Sequence, residues 1–162
     1  MGAEGIVAMR TPGMAESYLD DPAATARNFR DGWFLSGDLG RLLPDGRFVL
    51  HGRRDDMLNL GGIKISPVEV EDIIRLGVEG ILDVAAVCLP GHDGIGALYL
   101  ALVLVPGRDF KAARDAAVNI LPVWMRPCYV GSLHALPRTV SGKLRRAEVR
   151  AMFQSVRASP AS

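Results

Sequence analysis

Cysteine, histidine and aromatic residues are all scarce in this chain. Its 162 residues include two cysteines and three histidines, and aromatic residues make up 6%. Two cysteines are too few for a disulfide framework, and Cys88 and Cys128 lack the short paired spacing of a zinc site. We expect both to be buried, reduced thiols. No metal site is predicted from the histidines, which stand far apart in the sequence: they are His51, His92 and His134.

The chain also lacks a long apolar run and an excess of one charge. The longest apolar stretch, Ile95 to Val105, contains glycine and is far shorter than the roughly 18 residues that a membrane helix needs. The first residues show no basic stretch followed by an apolar segment, so we expect a cytoplasmic protein without a membrane span. Lys and Arg number 19 against 18 Asp and Glu, and a net charge of +1 offers no general attraction to nucleic acid.

What the chain does contain is enough apolar sequence for one domain of ordinary size. Hydrophobic residues make up 49% and charged residues 23%, as in globular proteins. Up to about residue 52 the pattern predicts a small strand-rich piece, too short to close a core by itself. Its elements are strands at Gly5–Arg10 and Arg47–His51, a helix at Asp21–Phe29 and a turn-rich segment at Trp33–Gly40.

The remainder predicts an α+β domain. The charged residues from Arg53 to Asp56 indicate an exposed linker. Beyond it, Ser66, Pro67 and Glu69 match the cap, first position and capping box of a helix. The other elements are strands at Ile81–Leu89, Leu98–Val105 and Tyr129–Leu133, and helices at Phe110–Ile120 and Lys143–Val156. We expect a short antiparallel sheet flanked by helices.

The segment from Gly52 to Glu71 combines a charged joint, a glycine pair at Gly61 and Gly62, a basic residue at Lys64 and the capped helix. Glycine allows positive backbone angles and the close approach of a ligand to the main chain. The residues alone favour a surface linker followed by a tight turn, because such pieces are common. A swinging joint with a turn that accepts a ligand is the alternative.

Residues 136–146, Leu-Pro-Arg-Thr-Val-Ser-Gly-Lys-Leu-Arg-Arg, place Lys143 beside a glycine at the predicted start of a helix. From there an ammonium group can extend into a neighbouring site as a mobile charge. A phosphate-binding P-loop is excluded, because Pro137 stands where its first glycine would be and Leu144 where a hydroxyl would bind magnesium. By themselves these residues favour a solvated, basic helix start.

A third segment, Gly32 to Gly40, contains Ser36-Gly37-Asp38. A carboxylate in a glycine-bounded turn offers two acceptor oxygens in fixed geometry, which suits the two adjacent hydroxyls of a ribose. Standing alone, this tripeptide is more often just a turn. The large aromatic residues are expected in a core or an interface: Trp33, Phe34 and Trp124.

In order and spacing, the three segments together resemble the motifs of the adenylate-forming enzymes, which include acyl-CoA synthetases, luciferases and peptide-synthetase adenylation domains. The resemblance runs from about Gly5 to Phe153. It implies that Asp38 binds the ribose, that Arg53 contacts the ribose and phosphate region of the adenylate, and that Asp55 is a hinge. It also implies that Lys143 is catalytic, bridging the substrate carboxylate and the α-phosphate as pyrophosphate leaves.

The same resemblance implies a CoA site at the glycine pair. Gly62 would lie against the pantetheine of CoA, with Gly61 in the same loop and Lys64 near phosphate groups. Many members have Lys in place of Asn59 and Arg in place of Lys64, and Ser36 replaces the usual Thr. The Asn59 variant is closer to acetyl- and medium-chain-type synthetases, and the acid substrate stays open.

The enzyme implied by the resemblance is larger than this chain. Full-length members carry, upstream, a loop that holds the ATP phosphates and an acyl pocket, and neither is found here. The predicted parts are residues 1–54, the tail of an N-terminal AMP-binding domain; 55–157, a mobile lid; and 158–162, a disordered tail. ATP and CoA are expected as substrates together with a small carboxylic acid. Mg²⁺ would accompany ATP on ligands outside this chain, and the missing adenylation domain is the expected partner.

Two functions remain open from the sequence. The chain is either the lid part of an AMP-forming acid:CoA ligase, inactive alone, or a binding module or in-trans lid that binds nucleotide, CoA or a protein. The first would activate an acid as its acyl-adenylate and transfer it to CoA. The presence of Asp38, Arg53 and Lys143 in one chain favours the first.

Overall fold

Helix caps and alternating apolar positions set most of the element boundaries in this chain. The computed structural model describes residues 4–91 and 94–158, without the side chain of residue 158. His92 and residues 159–162 of the predicted tail lie outside the described residues. The structure divides between Met57 and Leu58, whereas the sequence predicts a boundary after Arg54. Residues 4–57 are called the N-terminal unit and residues 58–158 the C-terminal unit.

The N-terminal unit is a four-stranded sheet with one short helix. Its elements are β1 (Glu4–Met9), α1 (Pro22–Asn28), β2 (Phe29–Arg30), β3 (Trp33–Leu42) and β4 (Phe48–Arg53). β3 is central, with β1 antiparallel along one edge and β2 and β4 antiparallel along the other. Asp21 caps α1 by accepting the N–H of Ala24 at 2.8 Å, and Pro22 takes the first helical position, as the sequence predicts.

The predicted turn-rich segment Trp33–Gly40 is instead part of the strand β3, so this interpretation was wrong. Three residues of β3, Ser36 to Asp38, lie opposite Val7 alone. This bulge contains Gly37 at φ +77°, a left-handed conformation that glycine adopts without strain. The Ser-Gly-Asp signal therefore marks a bulge inside a strand and not the end of one.

The C-terminal unit begins with a small hairpin and continues with a three-stranded sheet and three helices. Its elements are β5 (Leu58–Leu60), β6 (Ile63–Ile65), α2 (Pro67–Gly77), β7 (Ile81–Pro90), β8 (Gly96–Leu104), α3 (Phe110–Ile120), β9 (Cys128–Ser132) and α4 (Arg146–Ala158). Ser66 caps α2 by accepting the N–H of Val68 at 3.2 Å, and Asp109 caps α3 by accepting that of Ala112 at 2.8 Å. Both caps end a stretch of extended chain at the predicted place.

The main sheet has the order β7-β8-β9 and is mixed, not antiparallel as expected. β7 and β8 pair antiparallel, as expected, but β9 runs parallel to β8. The physical reason is the intervening helix, because α3 carries the chain back so that β9 enters in the direction of β8. The described residues thus form four α-helices and three small sheets, an α+β arrangement.

The core of the C-terminal unit lies on both faces of β8. Leu98, Leu100 and Leu102 face one cluster together with side chains of α2 and α3. The alternate residues Tyr99 and Ala101 face a second cluster that includes Val149 of α4. Because both faces are covered, the strand is apolar along its whole length. No helix in the described parts of the chain has the length and apolarity to cross a membrane.

The N-terminal unit has no comparable core. Among its described residues no apolar side chain is buried, and large ones are exposed, with Leu42 at 59%, Phe48 at 51% and Leu50 at 62%. Trp33 and Trp124 are each 44% exposed. Neither tryptophan is a core residue, and an interface position for them stays a prediction.

Candidate active site

The two predicted nucleotide-binding residues are neighbours in the N-terminal unit. Asp38 on β3 is paired with Arg53, the last residue of β4. The Nε atom of Arg53 lies 3.9 Å from Oδ1 of Asp38, and their side chains are 43% and 38% exposed. A carboxylate with two acceptor oxygens therefore lies beside a planar fork of donors, both open to solvent.

The bulge in β3 sets this geometry. The hydroxyl of Ser36 donates to the carbonyl of Val7 at 3.3 Å and accepts the N–H of Asp38 at 3.1 Å. Nη2 of Arg53 donates to the carbonyl of Ser36 at 3.2 Å. A Cβ atom on Gly37 would lie 3.3 Å from that same nitrogen and would displace it slightly, and the positive φ of this residue would strain any other side chain.

The predicted hinge residue, Asp55, lies in a short 3₁₀ turn, Arg54–Asp56, that directly follows β4. Its side chain is 77% exposed, and Oδ1 lies 3.4 Å from Nε of Arg54. An ion pair between adjacent exposed residues holds a side chain weakly. The position is compatible with a joint, and rotation about it stays a prediction.

The predicted CoA residues form the tip of the β5–β6 hairpin. Gly61 and Gly62 are the two turn residues, with φ of +61° and +93°, as a two-residue turn between antiparallel strands requires. Oδ1 of Asn59 accepts the N–H of Gly62 at 2.9 Å. Asn59 therefore stabilises the turn. Lys64 is exposed and lies opposite Asn59 in the hairpin.

A cleft of about 340 Å³ adjoins Gly61 within the C-terminal unit, and the sequence did not predict it. Its walls include Gly61, Ile95, Trp124, Arg126 and Tyr129. Trp124 is in a 3₁₀ turn after α3, and Arg126 is held by a bond from Nη2 to the carbonyl of Val118 at 3.2 Å. An exposed indole and a fixed cation suit a planar, anionic ligand. More than 60 positions separate Gly61 from Trp124 along the sequence, so only the fold reveals that they share a wall.

Lys143 does not begin a helix, contrary to the expectation, but lies in a loop before α4. An isolated antiparallel bridge between Arg138 and Leu144 closes this loop. The N–H of Lys143 donates to Oγ1 of Thr139 at 3.0 Å, and its carbonyl accepts the N–H of Thr139 at 2.8 Å. Because these backbone groups are already bonded within the loop, α4 begins only at Arg146.

The ammonium group of Lys143 is available to a ligand. The side chain is exposed, and among the described residues none forms a hydrogen bond or an ion pair with it. A positive charge on a closed loop with a free end is the arrangement expected of a lysine that acts on a separate substrate group.

A buried ion pair that the sequence did not predict connects the last residue of each of two motif segments. Glu71 on α2 and Arg146 on α4 are 7% and 11% exposed. Arg146 donates to both carboxylate oxygens, with a distance of 3.0 Å from Nη2 to Oε2. The backbone of Ala86 on β7 completes the group, since its N–H donates to Glu71 at 2.8 Å and its carbonyl accepts from Arg146 at 3.2 Å. This cluster fixes the segment after the glycine turn and the segment after Lys143 to the same sheet.

The cysteines are free thiols. Each is partly exposed, whereas both were expected from the sequence to be buried. Burial raises the pKa of Cys88, whose thiol donates to the carbonyl of Asn59 at 3.2 Å. Burial raises the pKa of Cys128 to about 12. Both thiols are therefore neutral near pH 7, which disfavours a nucleophilic role. Within residues 4–91 and 94–158 no three metal-ligating side chains lie together.

The structure groups the predicted site residues by unit. Asp38 and Arg53 come together in the N-terminal unit, with Asp55 two positions further along the chain. The glycine pair, Lys64 and Lys143 all belong to the C-terminal unit. Their roles are proposals that depend on what the chain is related to.

Comparison with known proteins identifies that relationship. No protein-family model matches the chain. The chain is 32% identical over 160 residues to a 3-hydroxybenzoate–CoA ligase of Aromatoleum sp. (strain CIB), covering 94% of the chain and 30% of that protein. It is 36% identical over 155 residues to a 2-hydroxy-7-methoxy-5-methyl-1-naphthoate–CoA ligase of Streptomyces carzinostaticus, covering 93% of the chain and 28% of that protein.

Solved structures agree in fold. The anthranilate CoA ligase AuaEII, in complex with anthranoyl-AMP, matches 98% of this chain with a TM-score of 0.83 and 26% identity. ATP-bound MatB from Rhodopseudomonas palustris matches 96% with a TM-score of 0.82 and 25% identity. In each case the match covers 31% of the solved chain. This chain is homologous to part of the adenylate-forming acid:CoA ligases. It spans about 30% of the length of the relatives it matches, so a complete acid:CoA ligase contains much that is absent here.

Proposed function

We propose that this chain is the C-terminal part of an ATP-dependent, AMP-forming acid:CoA ligase. It would supply the end of the AMP-binding domain and the lid. In the first half-reaction the carboxylate of an acid attacks the α-phosphorus of ATP, forming an acyl-adenylate and releasing pyrophosphate. In the second, the thiol of CoA attacks the acyl carbon, forming a thioester and releasing AMP.

The observation that carries the proposal is the apposition of Asp38 and Arg53 on adjacent strands. The Asp38 carboxylate would accept hydrogen bonds from the two ribose hydroxyls. The Arg53 guanidinium, held by the Ser36 carbonyl, would donate to the ribose and phosphate region of the adenylate. Neither residue needs to move for both to reach one nucleotide, because they already lie 3.9 Å apart.

Lys143 would stabilise the charge that develops in the first half-reaction. Negative charge builds on the α-phosphate as the carboxylate adds and pyrophosphate departs, and a nearby ammonium group lowers the energy of that state. The closed loop and the unpaired ammonium group support this role. A matching motif in the family places a lysine here for the same step.

The CoA thiol would arrive by way of the glycine hairpin. Gly61 and Gly62 present main chain without side chains to the narrow pantetheine arm. The neighbouring cleft, with its exposed Trp124 and fixed Arg126, offers a stacking face and a cation for the nucleotide end of CoA. Lys64 adds a second exposed cation beside the turn.

The rest of the enzyme would be supplied by an adenylation domain. The exposed apolar side chains of the N-terminal unit support this, since a sheet without a core needs another surface to cover it. That domain would hold the acid, the ATP phosphates and the ligands of Mg²⁺. Rotation about Asp55 would then present Lys143 in the first half-reaction and the glycine hairpin in the second. We also propose a cytoplasmic location.

The chain matches 30% and 28% of the length of two related ligases, which indicates how much of such an enzyme it represents. The proposal that it is the C-terminal part rests on the sequence motifs. A second candidate is a lid or binding module that acts on a separate protein. The core of the C-terminal unit supports it, because that unit closes both faces of its own sheet.

The test is complementation. The chain is mixed with an adenylation domain of a related acid:CoA ligase that lacks its C-terminal third, and pyrophosphate release and thioester formation are followed with a panel of carboxylic acids. Activity in the mixture, absent from either part, is expected. Lys143→Ala should lower adenylation by about 100-fold or more, as for removal of one transition-state donor. Lys111→Ala, an exposed lysine on α3, is the control and should have no effect.

Other outcomes would overturn the proposal or part of it. Activity with a partner that lacks its N-terminal third, and none with the C-terminally truncated partner, would contradict the C-terminal placement. Binding of CoA or nucleotide with no reaction in any mixture would favour the binding module.

A further inference from the structure

The loop that carries Lys143 has little of the core beneath it. Val140, at its tip, is fully exposed, and Ser141, Gly142 and Lys143 are exposed as well. Its internal bonds run between Thr139 and the segment Ser141–Lys143. They hold the loop to itself. Its two ends are packed on the domain, since Leu136 is buried and Leu144 lies against the second core cluster, and one side-chain contact links its exposed part to the main sheet.

Arg138 makes that contact. Its Nη1 donates to the carbonyl of Gly142 at 2.8 Å, and its Nη2 donates to Oδ2 of Asp83 at 2.6 Å. One guanidinium group therefore connects the peptide immediately before Lys143 to the main sheet. The planar fork of arginine fixes both directions at once, which a lysine ammonium group cannot do.

Asp83 is itself fixed on β7. Its Oδ1 accepts the N–H of Val84 at 2.9 Å, so Oδ2 faces Arg138 in a set orientation. The β7–β8 ladder has an irregularity between Ile81 and Asp83, and such a bulge re-aims a side chain relative to a regular strand. The Asp83 side chain is 24% exposed and that of Arg138 is 43% exposed.

We propose that Arg138 and Asp83 are positioning residues that hold the Thr139–Lys143 loop in one conformation and so aim Lys143 at the reacting phosphate. The second part of this inference rests on the proposed function. Ion pairs this exposed contribute little to folding stability. The link to a loop that carries an unpaired lysine is therefore better explained by orientation than by stability.

The variants are Arg138→Gln and Asp83→Asn, each of which keeps the size of the side chain while removing the charge. Arg145→Gln is the matched control. Arg145 lies close to the same loop and also forms an exposed ion pair, with 2.6 Å between its Nη1 and Oε1 of Glu148. Hydrogen exchange of the Thr139, Gly142 and Lys143 amides is measured on the full chain alone. Adenylation, and thioester formation from a supplied acyl-adenylate, are measured in the complemented mixture.

Both variants should speed exchange at the three loop amides and lower kcat of adenylation by on the order of tenfold, since misplacement of a catalytic group by about 1 Å is costly. KM for the acid and the thioester step should be unchanged, and the double variant should be no worse than either single one. Arg145→Gln should match the unsubstituted chain in every measurement.

Three results would overturn the inference. One is loop exchange in Arg138→Gln that equals that of Arg145→Gln. The second is an equal fall in both half-reactions, which would indicate general damage. The third is unchanged adenylation despite faster exchange. If the unsubstituted chain supports no adenylation, the proposed function fails, while the exchange data still decide whether the pair holds the loop.

Discussion

The two units differ in where their apolar side chains go. In the C-terminal unit both faces of β8 are buried under helices, whereas in the N-terminal unit no described apolar side chain is buried. Yet the best-defined pair of predicted site residues, Asp38 and Arg53, lies in the unit without a core. Local hydrogen bonds around a bulge can fix a site on a sheet that needs another surface to be stable.

The sharpest way to break this comparison is to separate the units. Residues 58–162 expressed alone should unfold cooperatively on heating and give a dispersed amide spectrum, because their core is self-contained. Residues 1–57 alone should show no cooperative transition, since short chains without a buried core cannot offset the entropy of ordering. Circular dichroism melts and proton–nitrogen spectra measure both. A cooperative transition in the N-terminal piece would contradict the comparison.

The next largest effect concerns the ion pair inside the C-terminal unit. Glu71→Ala leaves Arg146 and the N–H of Ala86 buried without their acceptor, and we expect a loss of about 3–5 kcal/mol in the free energy of unfolding. Asp72→Ala is the matched control. It breaks an exposed ion pair in which Nη1 of Arg75 lies 2.7 Å from Oδ1 of Asp72. The free energy of unfolding should fall by about 0.5 kcal/mol or less. Urea unfolding of the full chain compares them, and equal losses would refute the role assigned to Glu71.

A smaller effect is expected from alanine substitutions in two glycine turns, one in each unit. Gly46 and Gly62 have φ of +82° and +93°, and a Cβ atom on either would meet nothing within 4 Å. Substitution of either by alanine should cost about 1 kcal/mol, through backbone strain alone. In the complemented mixture only Gly62→Ala should slow thioester formation, since only that turn is proposed to meet CoA. Slowing of equal size in both variants would show that strain and not ligand contact is responsible.

The smallest expected effect is that of Cys128 on how the free energy of unfolding depends on pH. Burial raises the pKa of its thiol from an ordinary 9.0 to about 12. Between these pH values the folded chain keeps a proton on this thiol that the unfolded chain has lost. Its contribution is fully present below pH 9 and is lost progressively as pH rises from 9 towards 12. Unfolding in denaturant from pH 7 to 10.5 should therefore show a steeper decline above pH 9 for the unsubstituted chain than for Cys128→Ala. Parallel curves would argue against a raised pKa at Cys128.

The starts of α1, α2 and α3 were predictable because each is a local event. The Asp21, Ser66 and Asp109 caps act on N–H groups two or three residues ahead, so the sequence window contains cause and effect together. The strands β7 and β8 were predictable for the same reason. The direction of β9 was not, because it depends on how α3 crosses the sheet.

The wrong or absent predictions at the candidate site also arise from contacts that a local stretch of sequence does not contain. Lys143 was expected to begin a helix, but the Arg138–Leu144 bridge and the bonds to Thr139 close a loop there. The cleft at Trp124 and the Glu71–Arg146 pair arise from residues that are far apart in the chain. Charge and residue type were visible in the sequence, but the distances that make them a site were set by packing.

The position of Glu71 and Arg146 has a consequence for solubility. β7 is an edge strand of its sheet, and an edge presents unpaired backbone groups to which another polypeptide strand can bind. At Ala86 both groups are already occupied, the N–H by a carboxylate and the carbonyl by a guanidinium group. Two charged side chains thus stand where a strand from a second molecule would have to pair. The same pair that fastens two helices to the sheet also keeps that edge from recruiting neighbours.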